Sequence, residues 1–189
     1  MVASYSAVAA RRNCSLERLS REDSLTGLFN RREFDRSLNA AILHSQRHAT
    51  PLAVAMFDLD RFKCVNDQYG HAIGDEVLAA GAKLLLRECR VIDVVARYGG
   101  EEFVIALPHA DAAAAMAVCE RVRLAFMTYD WDAVAPGLVL TISAGIAAWS
   151  SGRSGRDLLL EADRNMYRAK QQGRNCVMCT QPSAAMHNV

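Results

Sequence analysis

Hydrophobic positions along the chain change between two periods, and the change indicates alternating helices and strands. Four stretches carry apolar residues at the spacing of a helix that is buried on one side, and they start near residues 31, 75, 111 and 156. Apolar runs of the kind found in buried strands cover residues 52–57, 91–96, 103–107 and 138–147. The pattern predicts helices packed against a sheet.

Local signals set the expected ends of these elements. Asn30, with Glu33 three residues later, is a capping-box pattern, so the first helix should begin there. Pro51 separates that helix from the strand that follows. The polar segment 61–74 is expected to be a loop that leads to a second helix capped by Asp75, and Gly173 should end the last helix.

Residues 97–103, RYGGEEF, lie between two of the strand-like runs. Two glycines in such a place predict the turn of a β-hairpin. Because a hairpin makes its two strands antiparallel, the sheet cannot be a simple doubly wound one. The predicted fold class is α/β (α+β), with a central, mostly antiparallel sheet flanked by helices.

Composition indicates an ordinary globular protein. The chain has 189 residues, of which 51% are hydrophobic and 23% are charged, and its formal net charge is +1. That charge gives no general reason to expect nucleic acid as a partner, and no apolar run approaches the ~20 residues of a membrane span. The N-terminus lacks the residue order of a secretion signal, so we expect a cytoplasmic protein.

The chain divides into three expected segments. Residues 1–22 form a helical or flexible lead-in, a possible linker from a sensory domain; residues 23–180 form the main domain; residues 181–189 form a disordered tail. Six scattered cysteines are typical of reduced thiols. Cys176 and Cys179 have the spacing of metal ligands, but no second pair accompanies them, so a terminal strand is favoured over zinc or redox chemistry.

Two carboxylates follow the two glycines at the predicted hairpin turn. Glycine lets a phosphate or nucleotide approach the backbone through conformations with positive φ, whereas Glu101 and Glu102 would repel such an anion unless a cation lay between them. Mg²⁺ commonly joins carboxylates to nucleoside triphosphates, so a metal-bridged phosphate site is one interpretation. A solvated turn is the simpler explanation when these residues are taken alone.

Other charged residues favour the metal-site interpretation. Asp58 ends a buried strand, where α/β proteins commonly bind ligands, and its carboxylate would join the hairpin glutamates if the two strands are neighbours. Lys63, Lys170 and Arg174 supply positive charge that suits phosphates. The simpler explanation of the last two is that they complement a helix dipole.

Residues 66–75 carry groups that suit guanine. The Asn66 amide and the Asp75 carboxylate match the donors and the acceptor on the Watson–Crick edge of guanine, and adenine lacks that pair of donors. His71 is a candidate contact to the same ligand, although a hydrogen-bonded structural histidine explains it equally well.

Four runs together resemble the GGDEF family of diguanylate cyclases. They are DSLTGLFNRR at 23–32, FDLDRFKCVNDQYGHAIGD at 57–75, RYGGEEF at 97–103 and ADRNMYRAKQQGRN at 162–175. The resemblance spans about residues 23–179 and keeps the order and spacing of all four motifs. It implies a fold similar to the adenylyl cyclase core and the polymerase palm. It also implies condensation of two GTP into cyclic di-GMP and two pyrophosphates, with Mg²⁺ or Mn²⁺ as cofactor.

The resemblance implies a role for each matched residue. The metal would be bound by Asp58, the carbonyl of Leu59, Glu101 and Glu102, and Glu101 is alternatively the base near the 3′-hydroxyl. The catalytic set is Asp58, Lys63, Glu101 and Glu102. The GTP-binding set is Phe62, Lys63, Asn66, His71, Asp75, Gly99, Gly100, Lys170 and Arg174. Each protomer would present one GTP, so a homodimer would complete the site. Neither nucleic acid nor a membrane is implied as a partner.

Residues 90–93 match a further position of the family. Arg90 and Asp93 form Arg-x-x-Asp, and Arg90 lies nine residues before Gly99, which is the family's spacing for a site that binds cyclic di-GMP as an inhibitory product. Arg121 is implied as a further contact, from a second copy. The pattern is common by chance, so its position carries the interpretation.

Two other functions are weighed against a cyclase. A catalytically silent sensor of cyclic di-GMP or GTP would keep the fold and the Arg90–Asp93 site, but it should have lost Asp58 or the hairpin carboxylates, and all are present. An adenylyl-type cyclase is disfavoured by Asn66 and Asp75, which suit guanine.

Overall fold

The computed structural model describes residues 21–180, so the expected tail and all but two residues of the expected lead-in lie outside it. Strands and helices alternate as predicted. In chain order the elements are β1 (Phe29–Asn30), α1 (Arg31–His48), β2 (Leu52–Leu59), α2 (Phe62–Tyr69), α3 (His71–Glu88), β3 (Val94–Arg97), β4 (Glu102–Pro108), α4 (Ala112–Thr128), a 3₁₀ turn (Trp131–Ala133), β5 (Ile142–Ala148), α5 (Gly155–Gln171) and β6 (Val177–Cys179). Within residues 21–180, no helix is long and apolar enough to cross a membrane.

The strands of the described region form one mixed sheet of six, in the order β1-β3-β4-β2-β5-β6. The central pairings β3–β4, β4–β2 and β2–β5 are antiparallel, whereas the pairings β1–β3 and β5–β6 at the two sides are parallel. Every residue of the central strand β2 is buried. The predicted fold class, a mostly antiparallel sheet flanked by helices, is confirmed.

Side chains of β2 alternate between two core layers. Ala53, Ala55, Phe57 and Leu59 belong to a layer shared with α2, α3 and α4. Leu52, Val54 and Met56 belong to a second layer shared with α1 and α5, which we call the α1/α5 face. Asp58 continues the second set, so the alternation places its side chain on the α1/α5 face.

Helix α5 lies very close to β5 because Gly145 has no side chain. A Cβ at Gly145 would lie 2.0 Å from the backbone nitrogen of Met166 and 2.1 Å from the carbonyl oxygen of Ala162. Asn165 is buried at the same contact, and its amide donates a 2.7 Å hydrogen bond to the carbonyl of Ile146. The contact fixes α5 on the sheet and thereby fixes the position of its C-terminal turn.

The segment 61–74 differs from its prediction as a loop. Its residues form α2 and the first turn of α3, so Asp75 lies inside a helix and does not cap one. Gly70, with a φ of 84°, makes the break between the two helices. Only Phe62 and Val65 of α2 are buried, so the apolar period was too short to reveal this helix.

Two apolar runs extend beyond their strands. Val91 and Ile92 lie in an exposed turn before β3, with 105% and 52% of their surface accessible, and β5 begins only at Ile142. On α3, the apolar side chain of Leu86 is exposed, whereas that of Leu84 is buried. Apolar character alone was a poor guide at these positions, because single exposed apolar residues are common on protein surfaces.

Other local predictions agree with the structure. The Asn30 side chain accepts a 3.1 Å hydrogen bond from the backbone of Glu33 at the start of α1, while the Glu33 carboxylate binds Arg36. Cys179 ends β6, and the thiol of Cys176 donates to a backbone carbonyl at 3.3 Å. Burial raises the pKa of both thiols, and the interpretation of this segment as a terminal strand is confirmed.

Candidate active site

Strands β2 and β4 place two carboxylates directly opposite each other. Asp58 is paired with Glu102 in the antiparallel register, so both side chains lie on the α1/α5 face. Glu101 precedes β4, and its carbonyl accepts a 3.3 Å hydrogen bond from the backbone of Leu59. We call Asp58, Glu101 and Glu102 the acidic edge. Because like charges directly opposite each other on neighbouring strands repel, a nearby cation would stabilise the arrangement.

Lys170 supplies that cation in the structure. Its Nζ lies 2.7 Å from Oδ2 of Asp58, whose side chain is only 7% exposed, and it reaches the sheet from the last turn of α5. The Lys170 charge also acts on Glu101 and Glu102, and the charge of Arg174 acts on Asp58. The structure therefore brings together five residues that the sequence assigned to one site.

The three carboxyls of the acidic edge all have raised pKa values. Burial is the main cause in each case. Repulsion adds to it, from Asp60 on Asp58 and from Asp58 on the two glutamates, while Lys170 lowers the pKa of all three. Among residues 21–180, no group of three or more His, Cys, Asp or Glu is already arranged to hold a metal ion. Within the acidic edge, Asp58 forms an ion pair with Lys170.

The hairpin turn before β4 is held by a distant segment of the chain. The Arg97 guanidinium donates a 2.7 Å hydrogen bond to the carbonyl of Gly100 and lies 3.2 Å from a carboxylate oxygen of Asp23. The same carboxylate accepts hydrogen bonds from the backbone and hydroxyl of Thr26. Burial alone would raise the pKa of Asp23, but Thr26 and Arg97 lower it below its ordinary value. The sequence analysis missed this contact between Asp23 and Arg97, although both residues lie in the motifs that resemble the family.

The two hairpin glycines matter because they have no side chain, and not because they adopt an unusual backbone conformation. Neither Gly99 nor Gly100 adopts the positive φ that the sequence argument invoked. A Cβ on Gly99 would lie 2.3 Å from Oε2 of Glu102, whereas nothing lies within 4 Å of the corresponding position on Gly100. Gly99 thus makes room for the Glu102 carboxylate, and Gly100 leaves the backbone open to a ligand.

Asp60 organises the backbone beside the acidic edge, although the sequence-based predictions gave it no role. It is buried, and its carboxylate accepts hydrogen bonds from the hydroxyls of Thr141 and Ser143, each 2.7 Å long, and from the backbone of Asn175 at 3.0 Å. Arg174 and Asn175 both have positive φ, which is unfavourable for residues with side chains. Asp60 therefore stabilises the loop that carries Arg174. A second acidic residue two positions after Asp58 was the signal in the sequence.

The residues predicted to bind guanine lie on α2 and the first turns of α3. The Asn66 side chain lies against Gly74, where a Cβ would be 2.0 Å from its Oδ1, and this places it beside Asp75. Lys63, His71 and Asp75 are exposed. Phe62 is 5% exposed and belongs to the core, so its side chain is not available to a ligand and only its backbone can contribute.

The Arg-x-x-Asp residues form a compact turn between α3 and β3. The backbone of Arg90 donates a 2.7 Å hydrogen bond to the Asp93 carboxylate, and the backbone of Asp93 donates to the carbonyl of Arg90 at 3.0 Å. The Arg90 side chain is exposed. Arg121 of the same chain lies near this turn, because its guanidinium, on α4, donates a 2.9 Å hydrogen bond to the carbonyl of Glu88 at the end of α3.

Comparison with known proteins decides the family. A family model described as diguanylate cyclase, GGDEF domain, matches residues 20–176. This chain belongs to the GGDEF-domain family. The response regulator PleD of Caulobacter vibrioides (strain NA1000 / CB15N) is 40% identical over 168 residues, which cover 87% of this chain and 37% of PleD. This chain therefore spans little more than a third of the length of that relative.

Solved structures of GGDEF domains share the fold. The coiled coil and GGDEF domain of DgcB from Caulobacter crescentus, in complex with c-di-GMP, matches with a TM-score of 0.86 at 30% identity, over 95% of this chain and 97% of that chain. The active GGEEF domain of a diguanylate cyclase from Vibrio cholerae matches with a TM-score of 0.76 at 32% identity, over 82% and 98%. The second domain carries the same GGEEF variant of the motif as this chain.

The raised pKa of Asp58 predicts a stability that depends on pH. A carboxyl whose pKa is higher in the folded state favours folding below its unfolded pKa of about 4, and this contribution is lost as the pH rises through the folded pKa. We expect Asp58→Asn to melt a few degrees above wild type at pH 8 and the difference to shrink toward pH 4. Thermal unfolding followed by circular dichroism measures it, with Asp130→Asn, at an exposed loop residue, as the control. A variant that melts below wild type at pH 8 would contradict the electrostatic argument.

Proposed function

We propose that this chain condenses two GTP molecules into cyclic di-GMP and two pyrophosphates. The observation that carries the proposal is the acidic edge, where Asp58, Glu101 and Glu102 converge with Lys170 in a member of the GGDEF family. Carboxylates whose burial raises their pKa values cost folding stability, and such groups concentrate at functional sites. The related protein from Vibrio cholerae, described as an active GGEEF domain of a diguanylate cyclase, supports the same reaction here.

The acidic edge suits Mg²⁺ or Mn²⁺. Its donors are carboxylate oxygens, the hard ligands that both ions prefer, and Mg²⁺ in proteins usually combines one or two carboxylates with substrate phosphates. Asp58, Glu101 and Glu102 would hold the ion together with the carbonyl of Leu59 at the end of β2. When bound, a divalent ion lowers the pKa of an attacking hydroxyl and neutralises charge on the leaving group.

Protein groups would orient the nucleotide and accept the proton. Glu101 is the alternative base in place of a metal ligand, and its raised pKa suits a group that takes the proton of the 3′-hydroxyl. The 3′-oxygen then forms a bond to the α-phosphorus of the other GTP, and the bond to pyrophosphate breaks. The β- and γ-phosphates would be bound by Lys63, Lys170 and Arg174, the base by Asn66, His71 and Asp75, and the open backbone at Gly100 would allow close approach.

Two copies of the chain would form the complete site. Each copy would bind one GTP, and each 3′-hydroxyl attacks the nucleotide of the other copy, so two acidic edges must face each other across a two-fold axis. The described surface leaves room for this approach. Glu102 lines two open clefts of about 460 Å³ and about 730 Å³ on the α1/α5 face.

The turn at residues 90–93 supports control by the product. The exposed Arg90 guanidinium suits a phosphate or a guanine, and the Asp93 carboxylate is held in place by a backbone hydrogen bond. Arg121 places a second guanidinium at the carbonyl of Glu88, two residues before this turn. A silent sensor of cyclic di-GMP is the second candidate function, because this turn would serve it equally well. The intact acidic edge favours the enzyme.

A turnover assay tests the reaction. Purified protein with Mg²⁺ and GTP should produce cyclic di-GMP, identified by liquid chromatography. Glu102→Gln should lower the rate roughly a hundredfold or more, because it removes a charged group from the proposed metal site. Glu161→Gln, a glutamate of α5 that pairs with Arg153, is the matched control and should leave the rate unchanged. Undiminished turnover in Glu102→Gln would reject the metal assignment.

The same assay over a hundredfold range of protein concentration tests the shared site. The rate per protomer should rise with concentration, since a monomer holds only half of the reactants. A rate per protomer that stays constant while the protein remains monomeric would exclude the two-copy arrangement.

Product inhibition tests the Arg90–Asp93 site. Arg90→Ala should raise the inhibition constant of cyclic di-GMP by about tenfold or more, because it removes charged hydrogen bonds to the ligand, and should leave the initial rate unchanged. Arg47→Ala, at an exposed arginine in the last turn of α1, is the control. An inhibition constant equal in wild type and Arg90→Ala would exclude the site.

A further inference from the structure

Lys170 is paired with the carboxylate of Asp58, which the proposed function assigns to the metal ion. Its ammonium lies 2.7 Å from Oδ2 of Asp58, and the Asp58 side chain is almost completely buried. The C-terminal end of α5 favours a cation, because the helix dipole places partial negative charge there. The acidic edge therefore carries its own cation, which is paired with the most buried of its three carboxylates.

A metal ion and this ammonium would compete for the same carboxylate. Two cations held by one Asp58 side chain would lie only a few ångströms apart and would repel each other strongly inside a partly buried site. The ion pair thus opposes entry of a free divalent ion.

The Lys170 side chain has room to move away from Asp58 when a nucleotide binds. Close packing at Gly145 and Asn165 fixes the helix, but the side chain itself is 28% exposed and lines the open cleft of about 460 Å³ beside Glu102. The flexible four-carbon stem of lysine lets the ammonium turn from a carboxylate to a phosphate. A triphosphate offers oxygens to the ammonium and to a metal ion at the same time.

We infer that Lys170 keeps divalent ions out of the acidic edge until a nucleotide is bound. The Lys170 ammonium would then leave Asp58 for a phosphate oxygen of the triphosphate, and the Asp58 carboxylate would become available to hold an ion. The Lys170–Asp58 ion pair would thus require the nucleotide to bind no later than the divalent ion. This inference rests on the proposed function, because it takes the acidic edge to be the metal site of a GTP-dependent enzyme.

Binding of Mn²⁺ without nucleotide tests the inference and needs no turnover. Electron paramagnetic resonance measures free Mn²⁺ in titrations of wild type and of Lys170→Met, which keeps the length of the side chain and removes its charge. We expect Lys170→Met to bind Mn²⁺ about tenfold or more tightly than wild type. Asp58→Asn added to Lys170→Met should remove that gain. Lys83→Met, at an exposed lysine of α3, is the matched control and should bind as wild type does.

A second titration includes GTP with a methylene group between its α- and β-phosphates, which prevents release of pyrophosphate. Wild type should then bind Mn²⁺ tightly, and the advantage of Lys170→Met should vanish or reverse, because the ammonium now contributes to the phosphates. Circular dichroism verifies folding, and Lys170→Gln replaces Lys170→Met if the latter unfolds.

Particular results would overturn the inference. Equal Mn²⁺ affinity of wild type and Lys170→Met without nucleotide would do so, and so would a gain that persists when Asp58 is replaced. Failure of the proposed function is a different result, in which no cyclic di-GMP forms although Lys170→Met gains Mn²⁺ affinity through Asp58. Normal production of cyclic di-GMP with unchanged Mn²⁺ affinity would leave the enzyme and reject only the role of Lys170.

Discussion

The pairing of Asp58 with Glu102 across β2 and β4 is the constraint on which the rest of the site depends. Two carboxylates that face each other on neighbouring strands repel, and burial raises the pKa of both. A fold optimised only for stability would place apolar or opposite charges there. The chain instead compensates the charge with Lys170. In our account this ion pair breaks when GTP binds: Lys170 would bind a phosphate, and Asp58 would bind a metal ion.

Structure around the acidic edge holds these groups in place. Gly145 lets α5 approach the sheet closely enough for Lys170 to reach Asp58, while Arg97 holds the hairpin before β4. Asp60 fixes the strained loop that carries Arg174. These contacts sit on regular elements and short turns, which gives a charged site the rigidity that binding requires. Stability lost at the acidic edge is offset by the two apolar layers on either side of the sheet.

The sequence predicted the parts of this arrangement that depend on local periodicity or on motif spacing. The buried strand β2, the hairpin and the cap at Asn30 follow from such signals and agree with the structure. Helix α2 was missed because only two of its residues are buried, and the exposed Val91 was assigned to a strand because of its apolar character. The contact of Lys170 with Asp58 joins residues far apart in the chain, so no local pattern could reveal it.

A crystal structure with Mn²⁺ and the α,β-methylene analogue of GTP tests the central claim most directly, because the anomalous signal of manganese locates the ion independently of any assigned role. The account predicts a manganese peak bound by the carboxylates of Asp58 and Glu102, with the Lys170 ammonium moved from Asp58 to a phosphate oxygen of the analogue. A bound analogue with no manganese at the acidic edge, and with Lys170 still paired to Asp58, would contradict it.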